Sequence, residues 1–390
     1  MNKQTMRGEG VGPLRLVFMV DGLGWDYFES GAMPFMWSLF AEGDGQVVQA
    51  LWPTVTNVNN AAIACAAPPS LTGITGNSLY DPATGEERYM DSADMLKQPT
   101  LLEKWSQSGR TCGLITAKGK SVRLLGRGLA LTISGQECAD DVVKGVGAPP
   151  QIYSPEVNYW LLDCLKWALA TREDLDTFYV HTTDYPMHMW EPGDERSQSH
   201  LRWLDDGIRE IAASLGDVEI FLSADHGMNA KNRAIDLGTV LECRGIVGAK
   251  ALSIEKDGLV AHHRDLGGGA WVYVGEDQID KATAILAELE GVDEVLNRDA
   301  TAERYLLDPD RIGDLAVFAD RATVFGVLES GEEIDVLPAN YRSHGSLYER
   351  EVPLLRWGSD FNNDHSVASM NWELLATIDG GTIVSGSDDS

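Results

Sequence analysis

Three apolar runs of this chain stop at or just before an aspartate, and no other feature limits the fold as much. Arg15-Leu16-Val17-Phe18-Met19-Val20 ends on Asp21. Thr177-Phe178-Tyr179-Val180 leads into His181-Thr182-Thr183-Asp184. Ile220-Phe221-Leu222-Ser223-Ala224 ends on Asp225-His226-Gly227. Runs this short and this apolar suit parallel strands covered on both faces. Ligands of open α/β sheets bind just outside the carboxyl ends of such strands.

Helical patterns separate the runs: Met33 to Ala41, Leu101 to Ser106, Tyr159 to Ala170 and Leu201 to Leu215, with a further strand over Cys112 to Ala117. The alternation predicts an α/β fold, a largely parallel central sheet with helices on both faces. From about residue 240 to 335 the texture changes to short β-rich runs with Asp257-Gly258 and Gly267-Gly268-Gly269. We therefore expect a core of residues 1–239 and 336–390 and a smaller inserted α+β cap of residues 240–335. The polar start, Met1 to Gly10, is expected to be flexible and the tail, Ser385 to Ser390, frayed.

Composition narrows the partners. With 390 residues, 44% of them hydrophobic, the chain can bury a sizeable core, while a net charge of −29 argues against nucleic acid and anionic membranes. Leu14 to Val20 is too short for a membrane span or a signal core. The five cysteines, Cys65, Cys112, Cys138, Cys164 and Cys243, have no C-x-x-C spacing and read as reduced thiols of a cytoplasmic protein.

Each candidate site residue also has an ordinary reading. Asp184 and His188, spaced i, i+4, share one helix face, but Asp184 could simply cap a helix opened by Pro186. Asp225 and His226 could be a buried ion pair, Asp21 a turn residue, and His344 a loop histidine. Thr56 lies in Pro53-Thr54-Val55-Thr56-Asn57-Val58-Asn59-Asn60, which could be a capped loop before the alanine-rich Ala61 to Ala67. Together the ordinary readings are harder to hold. Asp21, Asp184, His188, Asp225, His226 and His344 supply six nitrogen and oxygen donors of the kind zinc accepts, and two-metal sites hold their ions about 3.5–4 Å apart.

In this order of motifs the chain resembles the alkaline phosphatase superfamily, and within it the phosphonoacetate hydrolases. The resembling stretches are Pro53 to Ala61, Gly73 to Asn77, Thr116 to Lys120 with Leu124-Leu125-Gly126, Thr182 to Tyr185, Ala224 to Ala230, Asp310 to Leu315 and Arg342 to Gly345. The resemblance implies two zinc ions, one held by Asp184, His188 and His344, the other by Asp21, Asp225 and His226 with the nucleophile Thr56. It implies that Asn59 donates to the phosphoryl group and that His188 also contacts substrate. The implied reaction splits phosphonoacetate into acetate and phosphate; the implied partner is a small anionic phosphonate, with a homodimer as the candidate assembly. The chain departs from the pattern at Gly119, where relatives commonly carry an acidic residue between the lysines, and at Trp190-Glu191.

Breaking a C–P bond leaves negative charge on carbon, so a neighbouring substrate carboxylate must be neutralised. Lys118 and Lys120 are the residues to do it. They could otherwise be a solvated turn, and a P-loop is excluded because Leu114 stands where its first glycine belongs. A dinucleotide fingerprint after Gly22-Leu23-Gly24 fails at Tyr27. Tyr80 and Tyr185 are candidate pocket residues, and His262-His263 are read as cap or interface residues. The competing function is a phosphodiesterase or nucleotide pyrophosphatase using the same metals and Thr56. A non-catalytic metal-binding protein would have no use for a nucleophile at Thr56.

Overall fold

A computed structural model describes residues 13–258, 264–358, 367–376 and 378. The terminal segments and His262-His263 therefore lie outside the described residues. The central sheet has seven strands: β1 (Leu14–Met19), β2 (Asp44–Gln49), β3 (Cys112–Thr116), β4 (Leu131–Ser134), β5 (Thr177–His181), β6 (Val218–Ser223) and β7 (Glu351–Trp357). Their spatial order is β2-β7-β6-β1-β5-β3-β4. The pairs from β6 through β4 are all parallel, and β7 runs antiparallel to both neighbours. The expected α/β architecture is what the chain adopts. β2 and β7 escaped the sequence reading because Asp44-Gly45-Gln46 and Pro353 interrupt any apolar run there.

All residues of β1, β3, β5 and β6 are buried, as strands covered on both faces require. Full burial of each large apolar side chain contributes about 1.5–3 kcal/mol. The one charge in β1, Arg15, is matched by Glu219 of β6 at 2.9 Å. Helices α1 (Thr56–Cys65), α2 (Gly119–Leu125), α3 (Pro155–Thr171), α4 (Tyr185–Met189) and α5 (Glu195–Ser214) include those that matter for the site. α5 starts six residues before the expected Leu201, capped by Asp194, because its polar first turns show no apolar stripe. α1 stands where a capped loop was the ordinary alternative, and every one of its residues is buried.

Register sets the site. Met19 pairs with both His181 and Ser223, and His181 also pairs with Thr116. The carboxyl ends of β6, β1, β5 and β3 are therefore level. Asp225-His226, Asp21, Asp184 and Lys118 leave from that one edge.

Within residues 250–319, four strands form an antiparallel sheet, in the order Lys250–Ser253, Gly269–Tyr273, Leu315–Ala319, Val292–Asn297. One face packs Val272 and Val317 against Leu241 and Leu286 in an apolar cluster of its own. The other presents Trp271 and Phe318 to Trp52, with ring centroids 5.2 and 4.2 Å away. A side sheet joins Arg233–Ile235 to Thr323–Phe325 and Ile334–Val336, straddling residue 240.

Candidate two-metal active site

Asp21, Asp225 and His226 offer ligand atoms all within 4.8 Å of one another, and so do Asp184, His226 and His344. His226 belongs to both groups. Its ring stacks on His344 at 3.7 Å, and the His188 ring lies 5.4 Å from His344. His188 Nε2 approaches Asp184 Oδ2 at 2.8 Å, and His344 Nε2 lies 3.6 Å from the same oxygen. Four segments far apart in sequence thus converge on one point, and all six expected donors are buried in it.

Backbone carbonyls aim the imidazoles. Nδ1 of His188 meets Arg342 O at 2.8 Å, Nδ1 of His226 meets Gly227 O at 3.0 Å, and Nδ1 of His344 meets Thr54 O at 2.8 Å. A carbonyl only accepts, so each Nδ1 carries the proton and each Nε2 turns a lone pair into the cluster. Burial lowers the pKa of His226 and, strongly, of His344, which keeps both neutral. The neutral His226 and His344 imidazoles, with His188 beside them, face three carboxylates, an arrangement suited to a cation.

The carboxylates show the same need. Burial and then the neighbouring Asp21 charge push Asp225 well above the carboxylate range. Asp21 is lowered although burial, its largest influence, opposes this; Lys118 and His181 outweigh it with the repulsion of Asp184. Asp21 Oδ1, Asp225 Oδ2 and His226 Nε2 are buried without hydrogen-bond partners. They stand 3.7 Å (Asp21 to His226) and 3.4 Å (Asp225 to His226) apart. Ligands of a tetrahedral zinc, with bonds of about 2.1 Å, sit about 3.4 Å from each other. The residues present fit such an ion.

Asp184 does stand at the N-cap of α4, but its side chain makes no cap hydrogen bond; it faces Lys118 and the histidines instead. Gly227 allows a close approach: a Cβ there would come within 3.2 Å of Gly24 Cα. Thr56 is buried at the first residue of α1. Thr54, two residues earlier, donates to Ser346 O at 2.8 Å and receives His344 at its own carbonyl, so this loop is tied to the His344 segment.

Asn59 is a correction. Its amide nitrogen donates to Leu51 O and Pro53 O, each at 3.1 Å, while Oδ1 accepts from Leu51 N and Asn371. With no exposure at all, the side chain shapes the loop before Thr56 and has no donor left for a phosphoryl oxygen. Lys118 Nζ lies 3.5 Å from both Asp21 Oδ2 and Asp184 Oδ1. These two anions raise the Lys118 pKa although burial works against it. Lys120 forms an ion pair with Asp257. A side chain at Gly119 would point at Glu137 and Gln136, so that departure from the family pattern alters the far side of the turn. Tyr80 packs on Tyr273, ring centroids 5.0 Å apart, and Tyr185 opens α4.

Sequence reasoning missed His181, Glu255 and Asp257. Tyr179 OH donates to Asn60 Oδ1 at 2.6 Å, which turns the Asn60 amide nitrogen onto His181 Nδ1 at 3.0 Å. His181 Nε2–H therefore faces Asp21 Oδ2, 3.4 Å away. Its place as the last residue of β5 was the available signal. Glu255 and Asp257 follow the strand Lys250–Ser253, outside the central sheet, and carried none.

Residues 15–346 match the type I phosphodiesterase / nucleotide pyrophosphatase family. Phosphonoacetate hydrolase from Sinorhizobium meliloti 1021, in complex with phosphonoacetate, superposes with a TM-score of 0.82 at 28% identity, over 93% of this chain and 94% of that one. The same enzyme with phosphonoformate gives the same values, a TM-score of 0.82 and 28% identity over 93% and 94% of the two chains. Human ectonucleotide pyrophosphatase / phosphodiesterase 5 shares the fold at 16% identity, with a TM-score of 0.66 over 93% of this chain and 92% of its own.

Proposed function

The chain belongs to the type I phosphodiesterase / nucleotide pyrophosphatase family, metal-dependent hydrolases of the alkaline phosphatase superfamily, and from that premise we propose that it cleaves phosphonoacetate to acetate and phosphate. The observation that carries the proposal is Lys118 set against the carboxylate–imidazole cluster, with Lys120 close by in sequence. Lys118 Nζ stands 3.5 Å from Asp21 and from Asp184, and Lys120 follows two residues on.

Asp184, His188 and His344 would hold one zinc ion, and Asp21, Asp225 and His226 with Thr56 the other. When bound, the two ions supply charge that makes the threonine alkoxide accessible and offsets the negative phosphoryl oxygens. The Thr56 oxygen attacks phosphorus as its hydroxyl gives up a proton, the C–P bond breaks with its electron pair left on carbon, a proton joins that carbon to give acetate, and water then hydrolyses the phospho-threonine to phosphate and free Thr56. Thr56 opens α1, so the helix N-terminus lies next to the phosphoryl group and favours its negative charge. Lys118 and Lys120 take the substrate carboxylate and gain strength as negative charge spreads onto it. Residues 240–335 serve as a cap over this edge of the core, and the five free cysteines support a cytoplasmic location.

The family match favours a second reading, a phosphodiesterase with the same nucleophile. A phosphate-release screen with phosphonoacetate, other phosphonates and an aryl phosphodiester, side by side, separates the two. Release from phosphonoacetate is expected; turnover of the diester alone would transfer the proposal to the second reading.

A further inference from the structure

Beyond the strand Lys250–Ser253 come two buried carboxylates, Glu255 and Asp257, that the chemistry above leaves unused. Glu255 is 5% exposed. Its Oε1 lies 3.6 Å from His344 Nε2, and its Oε2 is buried with no hydrogen-bond partner. A buried carboxylate oxygen without a donor is costly, and native structures keep few of them.

The surrounding backbone is shaped to seat this side chain. Glu255 N–H donates to Ser253 Oγ at 3.3 Å, and its carbonyl accepts from the Asn77 amide at 3.5 Å. The glycines Gly267-Gly268-Gly269 make room. A Cβ at Gly267 would meet Glu255 Cβ at 2.8 Å, one at Gly268 would meet Ser346 at 2.5 Å, and one at Gly269 would meet Trp52 at 3.0 Å. Three small residues thus let this sheet press Glu255 against the His344 segment.

The charges around it nearly cancel. Asp257 holds Lys120, and Lys118 faces Asp21 and Asp184. Glu255 Oε2 has no hydrogen-bond partner among these groups, so its carboxyl lacks a full cationic partner. An acetate leaving portion brings one more carboxylate toward Glu255. A leaving portion with both a carboxylate and an ammonium gives the lysines an anion and Glu255 a donor.

Resting on the reading that the chain hydrolyses phosphonates, we propose that Glu255 is a specificity residue that receives an ammonium group on the carbon bonded to phosphorus. The preferred substrates are then α-amino derivatives of phosphonoacetate. The reaction balances with water alone: its oxygen ends on phosphorus, the C–P electron pair stays on carbon, and a proton joins that carbon. The products from 2-amino-2-phosphonoacetate are glycine and phosphate.

The test compares phosphate release from 2-amino-2-phosphonoacetate and phosphonoacetate by the metal-loaded protein and by Glu255→Gln. The wild type is expected to favour the amino compound by about ten- to 150-fold in kcat/KM, the range of one charge-assisted hydrogen bond. Glu255→Gln should lose most of that ratio, mainly through KM for the amino compound, with metal content unchanged. A wild type that prefers phosphonoacetate, or a ratio unmoved by Glu255→Gln, overturns the proposal. Should neither compound release phosphate, the hydrolase reading fails on its own. Calorimetric titration of both compounds into Thr56→Ala still decides the Glu255 claim: tighter binding of the amino compound supports it, and equal affinities overturn it.

Discussion

Two buried clusters of charge are joined by the segment from His344 to Glu349, and they are satisfied in opposite ways. In one, the fully buried Glu349 carboxylate accepts from Lys231 at 2.9 Å, Asn229 at 2.8 Å, Ser346 N at 2.8 Å and Ser346 Oγ at 2.6 Å. Burial would raise the Glu349 pKa, but these donors outweigh it and lower the value. In the other, Asp21, Asp184 and Asp225 repel one another, and His226 Nε2 and Asp225 Oδ2 have no hydrogen-bond partner. The satisfied cluster is a brace. Glu349 O accepts from Gly227 N at 2.7 Å, next to His226, while Ser346 O accepts from Thr54, two residues before Thr56. The strained cluster is the part proposed to hold cations, and the brace ties together the loops that carry it.

The largest expected effect lies in the strained cluster. Thr56→Ala should reduce phosphonoacetate turnover on the order of 10⁶-fold, as loss of a nucleophile does elsewhere, with folding and metal content retained. Thr56→Ser should keep part of the activity because a hydroxyl remains. Near wild-type turnover by Thr56→Ala would remove it from the mechanism. On the other side of the comparison, Glu349→Ala leaves Lys231 buried and uncompensated, which costs about 3–5 kcal/mol. Denaturant unfolding measures it, and adding Lys231→Met should recover part of the loss. If Glu349→Ala unfolds at the wild-type midpoint, the two clusters do not differ as described.

A smaller effect separates the lysines from the metal donors. Lys118→Ala and Lys120→Ala should each lower kcat/KM for phosphonoacetate by about ten- to 150-fold, the range of one charge-assisted hydrogen bond, and far less for an aryl ester. Asp257 already holds Lys120, so the loss at Lys120 is expected to be the smaller of the two. Equal losses on both substrates would assign the lysines to the phosphoryl group.

Much of this was legible in the sequence because it is local. Strands β1, β5 and β6 announce themselves as apolar runs, and the aspartates at their ends need only the parallel register to converge. What was hidden depends on contacts made across the fold. Glu255 reaches His344 through a second sheet, and Lys231 finds Glu349 from 118 positions away. Asn59 misled for the same reason: its motif is right for a substrate amide, but the loop around it claims every donor. A capped loop stayed open as the ordinary reading of α1 because asparagines and threonines are poor helix formers, and burial on all sides overrides that preference.

Metal content measured together with unfolding addresses the central claim, that the strained cluster is built for two divalent ions. Elemental analysis of the active chain should find about two transition-metal ions, as the two proposed sites require. Chelation should abolish turnover and lower Tm, because cations bound only by the folded state stabilise it. An active chain with well under one such ion, or a Tm unmoved by chelation, would contradict the account.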